Sequence, residues 1–135
     1  RWRAKSHPYE GIPTLLDALQ ERTLPMVVLS NKPESFTVQA VAHLLPDWHF
    51  AIVRGARPNV PTKPDPTSAL EMADEMHIAP SDFIYLGDTN TDMQTARAAG
   101  MYALGATWGF RPRAELLDSG AQQLLETPQQ LLDHL

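Results

Sequence analysis

Three short stretches of this 135-residue sequence hold residue types whose spacing could do chemistry. Gly87-Asp88-Thr89-Asn90-Thr91-Asp92 follows an apolar run and carries two carboxylates four positions apart. With Asp88 at a strand end and Asp92 in the first turn of a helix, both can converge on one divalent cation. Mg2+ commonly takes one or two carboxylates, keeps several waters and accepts a phosphate oxygen. The plainer reading is a polar turn in which Asp92 complements a helix dipole. Asp88 fits that reading less well, because a charge following a buried strand is costly unless paired or metal-bound. Ser30-Asn31 follows another apolar run. A hydroxyl and free backbone N–H groups at a helix start make an anion site, although the same residues also serve as ordinary caps. Lys63, in Thr62-Lys63-Pro64-Asp65-Pro66, is presented from extended backbone because Pro64 disfavours helix before it. It can act as a point charge on a phosphate and neutralise a neighbouring carboxylate, or it is simply a solvated loop lysine.

Other candidates are weaker. His7, His43, His49, His77 and His134 are scattered without ligand-like spacing, and Trp108-Gly109-Phe110 reads as core or as a pocket wall. Zero cysteines exclude a disulfide scaffold, a thiolate metal site and a cysteine nucleophile. The formal charge of −5 argues against a nucleic-acid partner, the one basic cluster being Arg1, Arg3 and Lys5. No apolar run reaches the ~20 residues that cross a bilayer, and no leader is evident, so a cytosolic, membrane-free protein is expected. The first residue is Arg1 and not Met, which points to processing or to a piece of something longer.

The elements that must position these residues follow from periodicity. Ile12, Leu15, Leu16 and Leu19 predict a helix over about 12–22, closed by Pro25. Met26–Leu29, Phe50–Val53, Phe83–Leu86 and Met101–Leu104 read as buried strands. Pro33 is expected in the first turn of a helix burying Phe36, Ala40, Val41, Leu44 and Leu45. The prolines at 58, 61, 64 and 66 make an extended loop, after which Asp65 caps a helix through Ala69, Leu70, Ala73 and Met76. A small-residue helix through Met93, Ala96 and Ala99 should end at Gly100. A helix near 112–117 is followed by a last one with Thr127 as cap and Gln130 completing a capping box, burying Leu131, Leu132 and Leu135. Alternating strands and helices imply one domain over residues 1–135, a parallel sheet covered on both faces, with ligands outside the carboxyl ends of its strands.

Taken in order, Leu29-Ser30-Asn31-Lys32-Pro33, Lys63-Pro64-Asp65-Pro66, and Gly87 to Asp92 with the alanine-rich helix and Gly100 resemble motifs II, III and IV of the haloacid dehalogenase superfamily, in its phosphoglycolate phosphatase-like branch. The likeness runs from about Pro8 to the C-terminal helix. It implies a three-layer Rossmann-like core and Mg2+-dependent hydrolysis of a small phosphorylated metabolite through an aspartyl-phosphate. Ser30, Asn31 and Lys63 would serve the phosphoryl group, and Asp88 and Asp92 the metal. The family's first motif, Asp-x-Asp-Gly-Thr, supplies the nucleophile, and no Asp-x-Asp occurs in this chain. The expectation is therefore the C-terminal part of a core, without its first strand and cap domain, inactive alone and completed by a missing N-terminal segment or another chain. The alternative is a non-catalytic protein on the same fold that binds a phosphate ligand or a partner.

Overall fold

The computed structural model describes residues 10–109 and 111–135. The terminal cluster Arg1, Arg3 and Lys5, His7, the Pro8-Tyr9 end of the resemblance and Phe110 lie outside the described residues. In chain order the elements are α1 (Ile12–Glu21), β1 (Val27–Pro33), α2 (Glu34–Leu44), β2 (Ile52–Ala56), α3 (Thr67–Met76), β3 (Ile84–Gly87), α4 (Asn90–Ala99), β4 (Tyr102–Ala106), α5 (Arg113–Asp118) and β5 (Gln123–Leu125). Every strand pair is parallel, as the alternation requires.

Side-chain alternation divides the apolar residues between two cores. Phe83, Tyr85, Met101, Ala103 and Leu124 face one side, where Ala69 and Ala73 of α3, Met93 and Ala96 of α4 and Leu116 of α5 cover them. Ile84, Leu86, Tyr102, Leu104 and Leu125 face the other, against Leu15 of α1 and Leu131. Successive strand residues point to opposite faces, so each short apolar run feeds both layers. Alanines at the α4 contact let that helix lie close to the sheet.

Several elements depart from the sequence expectations. The four predicted strands begin one or two residues later than expected, and Ser30-Asn31-Lys32-Pro33 continues β1 instead of stopping it. Pairing is regular from Val27↔Ile52 to Leu29↔Arg54, then shifts to Pro33↔Ala56. The extra residues bulge out of the ladder. Pro33 and Pro66 sit at the cap positions, just outside their helices. Asp65 Oδ1 nevertheless accepts from the Thr67 N–H at 2.8 Å, an Asx-type lead-in. The α1 helix stops at Glu21, before Pro25 is reached. Of α2 only Thr37 is buried, and Phe36 is 42% exposed, because this helix packs on a sheet of just two strands. The last segment carries its capping box but winds as a 3-10 helix, Pro128–His134, which buries Leu131 and leaves Leu135 half exposed. The short β5 was not expected; its Gln-Leu-Leu has no β-branched residue. Gln129 Nε2 donates to the Gly11 carbonyl at 3.0 Å, tying this last segment to the start of α1.

The predicted α/β layering is present, but the sheet is in two pieces. Among the described residues, strand β1 pairs only with β2, while β3, β4 and β5 form a separate sheet in that order, with β3 at its edge. Between the facing edges runs a seam. At the amino-terminal ends of both strands, Met26 and Val27 look across a cavity of about 380 Å3 at Phe83 and Ile84. At the carboxyl ends, Val28 and Leu29 look across one of about 360 Å3 at Leu86, Gly87 and Asp88. Strand β4, paired on both sides, is buried for four of its five residues, whereas the apolar residues of β1 and β3 are only half-buried.

Leu104, 0% exposed at the centre of β4, carries much of this packing. Leu104→Ala is expected to lower the urea-unfolding free energy by about 2–5 kcal/mol. The half-exposed Leu117→Ala on α5 should change it by less than about 0.5 kcal/mol.

Candidate active site

At the carboxyl end of the seam a loop lysine meets a helix carboxylate. Lys63 Nζ lies 2.5 Å from Asp92 Oδ1, and the two side chains are only 12% and 11% exposed. Asp92 sits in the first turn of α4, where its own N–H donates to Thr89 Oγ1 at 3.1 Å, the helix cap. The Tyr85 hydroxyl donates to Oδ1 at 3.3 Å, and the Asp88 N–H donates to Oδ2 at 3.3 Å. Both Asp92 oxygens are thus engaged, the condition for holding a carboxylate out of water. Gly87 makes the approach feasible, since a Cβ there would collide with the Asp92 side chain.

Lys63 is held from its backbone as well. The Lys63 N–H donates to Asn31 Oδ1 at 2.9 Å, and Asn31 Nδ2 donates to the Lys63 carbonyl at 3.1 Å. The Asn31 amide therefore acts like one more strand residue, clamping the lysine loop to the bulged end of β1. Ser30 Oγ accepts from the Lys32 N–H at 3.0 Å, so its hydroxyl shapes the same bulge. The structure brings Lys63, Asp88 and Asp92 together in one cavity wall, and it places Ser30 and Asn31 beside Lys63 in an adjoining, tightly closed crevice. An outer ion-pair layer braces this region. Arg54 and Arg57 bind Glu75 and Glu71, each at 2.7 Å, and Glu34 fills the ladder gap by accepting from the Gly55 N–H at 3.3 Å.

Among the described residues the Asp88 carboxyl meets only its own backbone N–H and not such a set of donors. Burial, and then the charge of Asp92, push its pKa above the usual aspartate value, with Lys63 and Arg111 only partly opposing. The Trp108-Gly109 turn closes over it so tightly that a Cβ added at Gly109 would lie 2.5 Å from Asp88 Oδ2. A half-buried carboxylate short of positive charge is the donor that a divalent cation suits. Asp88 fits as a direct ligand of Mg2+, whereas Asp92, with both oxygens taken, fits better through water. Among the described residues no group of three or more His, Asp or Glu side chains forms a metal cage. Burial and the Asp92 charge also hold the Tyr85 phenol protonated far above its ordinary range, so it stays a donor.

Sequence reasoning missed Tyr85, Thr89 and the Asn31 clamp. The first two had signals: a tyrosine in a buried strand needs a partner for its hydroxyl, and Thr-x-x-Asp before a helix is a capping pattern. The clamp joins residues 32 apart and had none.

Comparison with known proteins bears on this arrangement. The family pattern described as Haloacid dehalogenase-like hydrolase matches residues 2–106. The chain belongs to that family. A phosphoglycolate phosphatase of Xylella fastidiosa is 36% identical over 108 residues, 78% of this chain and 46% of the relative. One from Escherichia coli K12 is 36% identical over 95 residues, 70% of this chain and 38% of the relative. The chain spans about half the length, or less, of these curated relatives. Among solved structures, one provisionally assigned as a phosphoglycolate phosphatase, from Lactobacillus delbrueckii subsp. bulgaricus, superposes with a TM-score of 0.87 at 29% identity, over 95% of this chain and 53% of that one. A haloacid dehalogenase-like family hydrolase from Streptococcus pneumoniae gives 0.84 at 26% identity, over 93% of this chain and 59% of that one.

Two expectations follow for this haloacid dehalogenase-like chain. Because folding raises the Asp88 pKa, the folded state holds that proton more tightly than the unfolded one. Stability therefore falls as pH rises from the ordinary aspartate value through the raised one, and the full penalty stands above it. Asp88→Asn should raise Tm at pH 7, with the gain vanishing below about pH 4. Lys63→Met leaves the Asp92 carboxylate buried without its counter-charge, and should cost about 3–5 kcal/mol in urea unfolding at pH 7.

Proposed function

We propose that the protein of which these 135 residues form a core domain is a Mg2+-dependent phosphatase acting on a small phosphate monoester, phosphoglycolate-like in size and charge. The observation that carries the reading is the meeting of Lys63, Asp88 and Asp92 at the carboxyl end of the seam, with Asn31 fixing the lysine loop. Family membership and the 36% identity to phosphoglycolate phosphatases support it.

In this reading Lys63 places a positive charge where a phosphate oxygen enters, and Asp92 holds that ammonium in place. Ser30, from the adjoining crevice, would offer its hydroxyl proton to the same phosphoryl group, since among the described residues its oxygen is engaged only as an acceptor. The Trp108-Gly109 turn narrows access of water to Asp88. Asp88 would hold Mg2+ directly and Asp92 through water. When bound, the ion supplies neutralising charge for the phosphoryl oxygens. Such sites accelerate phosphoryl transfer by positioning and electrostatics, and they still require an in-line nucleophile. Asp88 and Asp92 are engaged otherwise, and the chain has no Asp-x-Asp. This chain alone is thus inactive in the proposal.

The test compares the 135-residue chain with the product of the full reading frame that encodes it, using a chromogenic phosphate ester and Mg2+. The full product should turn over, and Asp88→Asn should lower its kcat by at least about 100-fold. The 135 residues should stay at background and, in calorimetry, bind Mg2+ far more weakly than micromolar, having only two carboxylates to offer. Robust turnover by the chain alone would overturn the assignment of roles. A full product that binds inorganic phosphate without turnover would favour the non-catalytic reading.

A further inference from the structure

We propose that Arg111 selects the substrate: its guanidinium receives a carboxylate carried by the same small molecule whose phosphoryl group meets Lys63. The inference rests on the proposed function for where the phosphoryl group lies, and adds the residue that reads the rest of the molecule. The chain itself brings Arg111 to the rim of the site. Trp108 lines the cavity of about 360 Å3 that also holds Lys63, Asp88 and Asp92. One residue further, the turn runs so close to Asp88 that a Cβ added at Gly109 would lie 2.5 Å from Oδ2. Two residues of chain span at most about 7 Å, which keeps the Arg111 backbone within about 11 Å of that carboxyl, inside the range its long side chain can shorten. The guanidinium acts on Asp88 in the same sense as the Lys63 ammonium, so its charge is felt inside the site.

What holds this guanidinium now is weak. Arg111 Nη1 lies 3.7 Å from Glu115 Oε2 of α5, whereas Arg54, Arg57 and Arg113 reach their carboxylates at 2.7, 2.7 and 2.9 Å. The Arg111 side chain is also 50% exposed. A long, exposed pair contributes little, so exchanging Glu115 for a ligand carboxylate costs little. The planar fork of guanidinium donors matches a carboxylate at two points. The sign of the ligand's second group follows from Asp88, which repels any further anion brought to its side. Among the described residues the cations acting on Asp88 are Lys63 and Arg111, and Lys63 is already paired with Asp92. Arg111 is therefore the cation left to offset that repulsion. With the phosphoryl group at Lys63 and the guanidinium on the rim of one small cavity, only a few bonds separate phosphorus from carboxylate. The substrate class is the phosphate monoesters of small hydroxy acids, and an ester of a neutral alcohol gains nothing from Arg111.

Calorimetry on the product of the full reading frame compares two probes that cannot be hydrolysed, phosphonopropionate and propylphosphonate, one ending in a carboxylate and the other in a methyl group. Phosphonopropionate should bind at least about 10-fold more tightly, the gain a charge-assisted, two-point hydrogen bond allows. Arg111→Gln should cut that ratio to less than about 3-fold by removing the charge and the fork. It should leave propylphosphonate binding and Tm unchanged, because the side chain is half exposed. Arg113→Gln removes an equal charge two positions further along and should keep the ratio. Equal binding of the two probes by the unaltered protein, a ratio that Arg111→Gln leaves intact, or the same loss in Arg113→Gln would each overturn the inference. The measurement does not depend on turnover. A product that discriminates through Arg111 yet hydrolyses no phosphate ester leaves the inference standing and sinks only the phosphatase reading. Hydrolysis of a chromogenic ester without discrimination between the probes does the converse.

Discussion

A lysine taken out of water needs a carboxylate, and a carboxylate taken out of water needs more donors than one lysine supplies. The Lys63–Asp92 pair meets both demands, and much of the surrounding architecture is arranged by them. Oδ1 is shared with a tyrosine of β3, Oδ2 is bound by the backbone following that strand, and the aspartate's own amide is capped by Thr89. Because the partner lysine stands on a loop, that loop must be fixed independently, and Asn31 does this through the main chain. The Coulomb term alone would not repay desolvation of two ions; the surrounding hydrogen bonds tip the balance. The pair also bridges the two sheets, linking the end of the β1–β2 half to the first turn of α4.

The layering was legible in the sequence because it depends on period-two alternation and on apolar runs, which are local. Residues 83–86 and 101–104 carry both cores in consecutive letters, and Gly100 takes the left-handed cap (φ 78°) that its position after an alanine-rich helix demands. Of the candidate site, the meeting of Lys63 and Asp88 was legible because attention goes to the residues after strand ends, while Ser30 lies in the adjoining crevice. What escaped depends on partners far along the chain. The exposure of Phe36 reflects how narrow a sheet α2 rests upon, which no feature of its own sequence reveals. The bulge after Leu29 is set by Glu34 and Gly55, residues with no motif of their own.

Asp88 and Asp92 illustrate how one short motif yields two chemically different carboxylates. They lie four residues apart, yet one is saturated with donors and the other is crowded by charge and apolar surface. The difference comes from the strand-to-helix turn: its amides and α4's first turn surround the second aspartate, while the first projects under the Trp108-Gly109 turn. A site that keeps one carboxylate fixed and the other under strain separates the work of positioning from the work of ligation. The cost of that strain falls on the fold.

The hydrogen bond from Gln129 to Gly11 spans 118 positions in the chain, and Leu15 shares its core with Leu125 and Leu131. The first helix described here is thus finished by nearly the last residues. During synthesis α1 leaves the ribosome long before its packing partners exist, and its apolar stripe must wait, solvated or sheltered by a chaperone. Long-range closure of this kind raises contact order and slows folding. The second core can therefore close only after residues 125–131 have been made.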